Sequence, residues 1–224
     1  KNEPFIFYLT SGFDKKINKN KLCLRDKESL KTLKSLGVRQ KNIFFIGRKL
    51  EIKNNNLYLD AKKVISFLED FFLKKFKPSA IYTHSWEGGH EDHDTCNLIA
   101  RRLRKKFNIK NCFQFSQYNS FNTSLIFFKV FNPIDKNNGK KVFTNLLNRI
   151  RFIRLLFNYK SQIKIWFGLY PFIINHYLFK GFNFIENLET SNKIIKPHSG
   201  KLLYEKRNFC KFSTFKKKTS FLLR

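Results

Sequence analysis

Methionine is absent from this 224-residue chain, which begins at Lys1. A start codon is therefore not represented, and residues are expected to be missing upstream. Acid is scarce as well: 16 Asp and Glu stand against 45 Lys and Arg, a formal net charge of +29. Such a field favours anionic partners, among them nucleic acid, acidic glycan and anionic lipid. The four cysteines, Cys23, Cys96, Cys112 and Cys210, form no Cys-x-x-Cys pair. That excludes a disulfide scaffold and zinc-finger spacing, and a reducing compartment is expected. Long apolar runs are missing too. The most apolar uncharged stretch, IWFGLYPFIINHYLF at 165–179, contains Pro171, Asn175 and His176. It falls short of the roughly 20 apolar residues that cross a bilayer. No signal peptide is visible, so the expected location is cytoplasmic, with room for peripheral attachment to a membrane. No glycine-rich phosphate loop or nucleic-acid motif occurs, and no specific nucleic-acid partner is expected.

The charge is uneven. Residues 1–135 carry 26 basic and 13 acidic side chains, and residues 136–224 carry 19 and 3. Lys outnumbers Arg 34 to 11, and Asn, Ile and Phe are also abundant. Codons for Lys, Asn, Ile and Phe are A/T-rich, so mutational bias is a sufficient source for this surface. Net charge bears on partners and not on fold.

The first 135 residues alternate strand and helix patterns. FIFYLT (5–10), NIFFIG (42–47) and AIYTHS (80–85) read as buried strands. Between them, RDKESLKTLKSLGV places Leu30, Leu33 and Leu36 at helical spacing, with Gly37 as its stop. DAKKVISFLEDFFLKKF puts Val64, Phe67, Leu68, Phe71 and Phe72 on one face, with Asp60 suited to cap it and Pro78 ending it. DHDTCNLIARRLRKKF reads as a third helix with Cys96, Ile99, Ala100 and Leu103 inward. CFQFSQ and SLIFFKVF follow as short strands. Alternation of this kind predicts right-handed crossovers and an α/β fold. The expectation is a Rossmann-like three-layer sandwich with a mostly parallel sheet over residues 1–135, its ligand site at the carboxyl ends of the strands. Residues 136–224 read as a basic helical and irregular extension. There KKVFTNLLNRIRFIRLLFNYKSQIKIWFGLYPFIINHYLF predicts two helices, broken near 158–161 and again at Gly168 and Pro171.

EGGHEDHD, residues 87–94, concentrates acid and imidazole directly after the third strand pattern. His84, His90 and His93 lie within ten residues, and the chain has only two other histidines. If a helix starts near Glu91, His90 and His93 can reach one point at its N-terminus. Imidazole and carboxylate are zinc ligands, and a catalytic zinc site usually takes three protein ligands. Asp92 and Asp94 are candidates for that role, or for capping the helix or orienting an imidazole. His84, inside its strand pattern, reads equally as a packed histidine.

These pieces, in this order, resemble the PIG-L/LmbE-like family of zinc-dependent N-deacetylases. LTSG (9–12) resembles the family's Thr-x-Gly. Arg25, Glu28, Leu36, Gly37 and Val38 resemble its Arg-x-x-Glu helix ending in Leu-Gly-Val. THSWEGGHEDHD resembles its second metal motif, His-Pro-Asp-His preceded by glycines, with Glu91 in place of the proline. LLYEKR (202–207) is a weaker late echo. The family's first motif, His-Pro-Asp-Asp-Glu, which supplies two zinc ligands and the general base, is expected upstream of Phe5 and is absent.

The resemblance implies a Zn2+ cofactor with His93 as ligand. It implies His90 as general acid or oxyanion stabiliser and Asp92 as its hydrogen-bonding support, with an N-acetylglucosamine-type sugar or glycolipid as substrate. Glu87 could line the sugar pocket, and Trp86 or Tyr118 could stack on a sugar face. The alternatives are a basic non-catalytic protein binding anionic glycan, lipid or nucleic acid, and an inactive homologue. Residues 149–180, with Arg149, Arg151, Arg154, Lys160, Lys164 and Lys180 around an apolar face containing Trp166, either pack on the core or lie at an anionic membrane interface.

Overall fold

A computed structural model describes residues 3–12, 19–124, 127–137 and 139–224, without the side chains of 19–22 and 164–167. The side chain of Trp166 and part of SLIFFKVF therefore lie outside the described residues.

The chain runs through β1 (Ile6–Tyr8), α1 (Lys19–Ser35), β2 (Ile43–Phe45), α2 (Ile46–Lys49), α3 (Leu57–Lys74), β3 (Ala80–His84) and α4 (Glu91–Phe107). It continues with β4 (Asn111–Phe115), β5 (Tyr118–Asn119), β6 (Lys129–Val130), β7 (Gly139–Phe143), α5 (Leu146–Leu156) and α6 (Ile163–Asn175). One π-helical turn (His176–Lys180), β8 (Phe182–Asn187), α7 (Leu203–Lys206) and α8 (Phe212–Thr219) complete it. Two compact units divide these elements: residues 1–54 with 143–182, and residues 55–142 with 183–224. Each unit draws its packing partners from two separated segments.

The fold is mixed α/β, with sheets of mixed strand orientation. In the first unit β1 pairs parallel with β2, Ile6 opposite Ile43 and Tyr8 opposite Phe45. The Tyr8 and Phe45 rings stack at 5.0 Å. In the second, the strand order is β3-β4-β8-β7, and β5 pairs antiparallel with β6. β3 and β4 run parallel, but β8 returns antiparallel to β4, with Phe113 opposite Asn187. Sequence periodicity did not reveal β8. Its residues, FNFIEN, do not alternate strictly, and the two it buries are Phe184 and Glu186.

Local expectations fare unevenly. α1 ends as expected: Gly37 takes a left-handed conformation and its N–H reaches the Lys34 carbonyl at 3.0 Å. The inward face of α1, however, is Glu28, Ser29 and Thr32, not the leucines. Glu28 accepts hydrogen bonds from the Ser161 amide and hydroxyl at 2.9 and 2.5 Å, so a polar face is buried because it is satisfied. NIFFIG is strand only to Phe45. Gly47 turns into α2 because its Cα lies against the Thr10 backbone, where a Cβ would come within 2.2 Å. α3 starts at Leu57, so Asp60 lies in its first turn and is not its cap; Asp60 instead pairs with Lys63 at 2.7 Å. Val64, Leu68 and Phe72 are buried on it as expected. α6 continues through Gly168 and Pro171 without a break. The final 40 residues contain α7 and α8 and bury Leu202, Leu203, Tyr204, Phe215, Leu222 and Leu223. Among the described residues no helix is long and apolar enough to cross a membrane.

Candidate active site

The polar loop 85–90 leaves β3 and enters α4, and both ends are fixed by buried groups. Asp94 reaches back from the first turn of α4. Its Oδ1 accepts from the Glu87 and Gly88 amides at 3.2 Å each. Burial pushes the Asp94 carboxyl well above the usual range, against the lowering effect of those two amides. Gly89 passes so close to the Tyr118 carbonyl that a Cβ would come within 1.8 Å of its oxygen. Any larger residue there would displace the loop.

Glu87, read as a sugar contact, is buried and holds the following loop together. Its Oε2 accepts from Ser116 Oγ at 2.6 Å and Asn119 Nδ2 at 3.1 Å. Its Oε1 accepts from the amides of Gln117 at 2.7 Å and Tyr118 at 3.0 Å. Burial still raises its pKa, with the four bonds pulling it down. Trp86, the other expected sugar contact, packs against the C-terminal helix. Its Nε1 donates to the Ile195 carbonyl at 2.9 Å, its ring meets those of Phe212 and Phe215, and the Arg101 guanidinium lies 5.3 Å from it.

His90 is the N-cap of α4, as the helix start near Glu91 implied. Its Nδ1 accepts from the Asp92 amide at 3.1 Å. That bond assigns the proton of the neutral ring to Nε2. Carboxylates of Glu91 and Asp92 lie 3.7 and 3.9 Å from Nδ1, a placement that would suit an imidazolium. The neutral form prevails, because Nδ1 cannot both carry a proton and accept the amide. Burial and then the positive charge of Arg207 lower its pKa to about 4. Arg207 escaped the functional reading although it closes LLYEKR, the late echo.

Asp92 was expected to orient an imidazole. It caps α3 instead: its Oδ2 accepts from the Asn55 amide at 2.8 Å and its Oδ1 from the Leu57 amide at 3.0 Å. The Leu57 amide is a donor that a helix start leaves without an intrahelical partner.

His93 lies at the centre of the cluster. Its ring stacks on His84 at 4.1 Å, lies 5.0 Å from His90, and receives the edge of Tyr118 at 5.4 Å. Burial, then the neighbouring His84 and His90, hold its pKa well below 6.5. Burial, and then His90, bring His84 to about 4. The Nδ1 atoms of both His84 and His93 are buried with no hydrogen-bond partner. The structure thus brings His84, His90 and His93 together as three neutral imidazoles, and directs Glu87, Asp92 and Trp86 elsewhere.

Neutral imidazoles with unpartnered nitrogens are the donor type zinc takes. The arrangement nevertheless does not fit a zinc ion by itself. The His84 and His93 planes are 18° apart. Nitrogen lone pairs lie in the ring plane, so stacked rings present them side by side and not toward one point. Asp92 is engaged at α3, and Asp94 at the glycine loop. Among the described residues no three His, Cys, Asp or Glu side chains are placed to hold a metal ion.

Compared with known proteins, residues 2–103 match the PIG-L family model, described as GlcNAc-PI de-N-acetylase. The match runs from β1 into α4 and contains His84, Trp86, Glu87, His90, Asp92 and His93. The resemblance read from LTSG, the Arg25–Val38 helix and THSWEGGHEDHD is shown over that stretch. No curated protein and no solved structure matches the chain.

Proposed function

We propose, from the family match over residues 2–103, that the chain is an amide hydrolase of the N-deacetylase type. Its substrate in this reading is the N-acetyl group of an N-acetylglucosamine-type sugar or glycoconjugate. The observation that carries the reading is the cluster of three histidine rings where β3 leads into α4, inside the matched stretch. Hydrolysis adds water to the acetamide carbon, breaks the C–N bond and releases acetate and an amine. Negative charge grows on the carbonyl oxygen in between. His90 is the group suited to meet it. Its Nδ1 is held by the Asp92 amide, which leaves Nε2–H as a fixed donor for that oxygen. A neutral ring of this kind stabilises the oxyanion and does not store a proton for the leaving amine. His93, packed between His84, His90 and Tyr118, sets the position of the cluster.

A second reading draws on the donor set. Glu87, Asp92 and Asp94 each serve backbone amides, so none of the three is placed as the base that takes the water's proton. Zinc ligation by His93, implied by the resemblance, would require ligands beyond the described set. That shortfall favours a non-catalytic relative that binds an anionic partner. Incubating the full chain with N-acetylglucosaminyl glycosides, with zinc supplied, separates the two. Mass spectrometry of the released acetate and free amine is expected to show hydrolysis that His90→Ser suppresses. A folded chain that releases no acetate supports the second reading.

A further inference from the structure

The strongest unassigned surface lies in the first unit, where the end of β7 meets the π-helical turn. The Thr144 amide donates to the Gly181 carbonyl at 2.9 Å, and the rings of Phe143 and Phe182 lie 5.7 Å apart. Arg149 Nε donates to the Thr144 carbonyl at 2.6 Å, and Asn145 caps α5 by accepting from the Asn148 amide at 2.9 Å. The framework is well bonded, yet it holds large apolar side chains outward. Leu147 is 80% exposed, Phe179 79% and Phe143 70%, with Leu146 and Leu178 also exposed. No residue of α5 is buried, although most of its side chains are apolar. Isolated exposed leucines are ordinary, but five large apolar side chains gathered at one bonded corner are not.

Charge identifies the partner. From residue 136 to residue 185 there is no Asp or Glu, against nine Lys and Arg. Lys180 follows Phe179 directly. The first turn of α5 carries no acid either. A soluble protein partner would have to supply both an apolar socket and a ring of carboxylates. An anionic bilayer supplies both by its nature, with hydrocarbon below and phosphate above.

We infer that Phe143, Leu146, Leu147, Leu178 and Phe179 form an apolar tip that inserts into an anionic membrane interface, with Lys180 held at the headgroups. The inference does not depend on the hydrolase reading, since it uses none of the histidine cluster. It differs from a role for Trp166, because the tip lies at the ends of the 143–182 segment.

Co-sedimentation of the full chain with phosphatidylcholine vesicles, with and without about 30 mol % phosphatidylserine, tests it. Binding is expected only to the anionic vesicles and is expected to weaken with salt. The double variant Leu147→Glu, Phe179→Glu should lower the partition coefficient at least about tenfold. Its thermal unfolding should match the parent, because both side chains are outside any packing. Leu73→Glu, a comparably exposed position on α3, should change nothing. Equal binding by the parent and the double variant would overturn the inference, as would equal binding to neutral and anionic vesicles. A parent dimer that the double variant dissolves, with no vesicle binding, would overturn it in favour of a second copy of the chain.

Discussion

His84 and His93 stack with ring centroids 4.1 Å apart, one from the end of β3 and the other from the first turn of α4. Two imidazoles at that distance tolerate each other only while neutral. Both lie in a buried setting that disfavours charge, and His90 adds to the effect.

Acid should therefore loosen the second unit. Folded-state pKa values of about 4 for His84 and His90 lie below the ordinary value of 6.5. Between those values the unfolded chain binds more protons than the folded one, so stability falls as pH drops through 6.5 toward 4. The slope is about 1.4 kcal/mol per pH unit for each proton taken up. Chemical denaturation midpoints at pH 7.5, 6 and 5 are expected to decline in that order. A flat profile would show that the rings are charged or exposed in the folded protein.

Asp92→Ala should cost about 1–2 kcal/mol of stability, the usual cost of removing a helix-capping acceptor. Asp92→Asn should cost less, since one oxygen remains to accept from the Leu57 or Asn55 amide. Urea midpoints measure both. If Asp92→Ala instead left stability unchanged and slowed only catalysis, the capping role would be wrong.

Glu87 offers a sharper contrast between holding the fold and holding a sugar. Glu87→Ala strips an acceptor from four donors and should destabilise by roughly 3 kcal/mol or more, since each buried donor left unpaired costs about 1–3. Glu87→Gln should keep most of the network: Oε1 still accepts from Gln117 and Tyr118, and the Ser116 hydroxyl can turn to accept. The bond from Asn119 is then lost, while its bond to the Asn132 carbonyl remains, a loss of about 1 kcal/mol. A rise in KM without loss of stability in either variant would restore the sugar-contact reading.

His90→Ser separates capping from chemistry. Serine is a strong N-cap, so helix α4 should persist and melting should shift little. The Nε2–H donor is gone, and turnover is expected to fall by about 10²–10³ if that donor meets the oxyanion. Unchanged turnover would remove His90 from the reacting centre.

Much of this was legible in the sequence because it is local. The start of α4 is signalled by acid and His90 just before an apolar periodicity, and the stop of α1 by Gly37. The histidine cluster is a matter of spacing: His90 and His93 stand three positions apart, and His84 lies near the end of the AIYTHS strand pattern. Ordered motifs over the first hundred residues carried the family resemblance for the same reason.

What each carboxylate does was decided only by tertiary structure. A carboxylate accepts from whichever donors the fold brings to it, and those donors lie far along the chain. Asp92 serves Leu57, 35 residues away, and Glu87 serves the loop at 116–119. Glu28 serves Ser161, 133 residues away, which turns a helix face that reads as solvent-facing into a buried one. Sheet direction follows the same logic: β8 lies antiparallel beside β4 because the chain returns there from residue 182, and no periodicity within either strand encodes that return. Local pattern marks the start of α4 and the stop of α1. The pairing of donors with acceptors waits for the chain to close on itself.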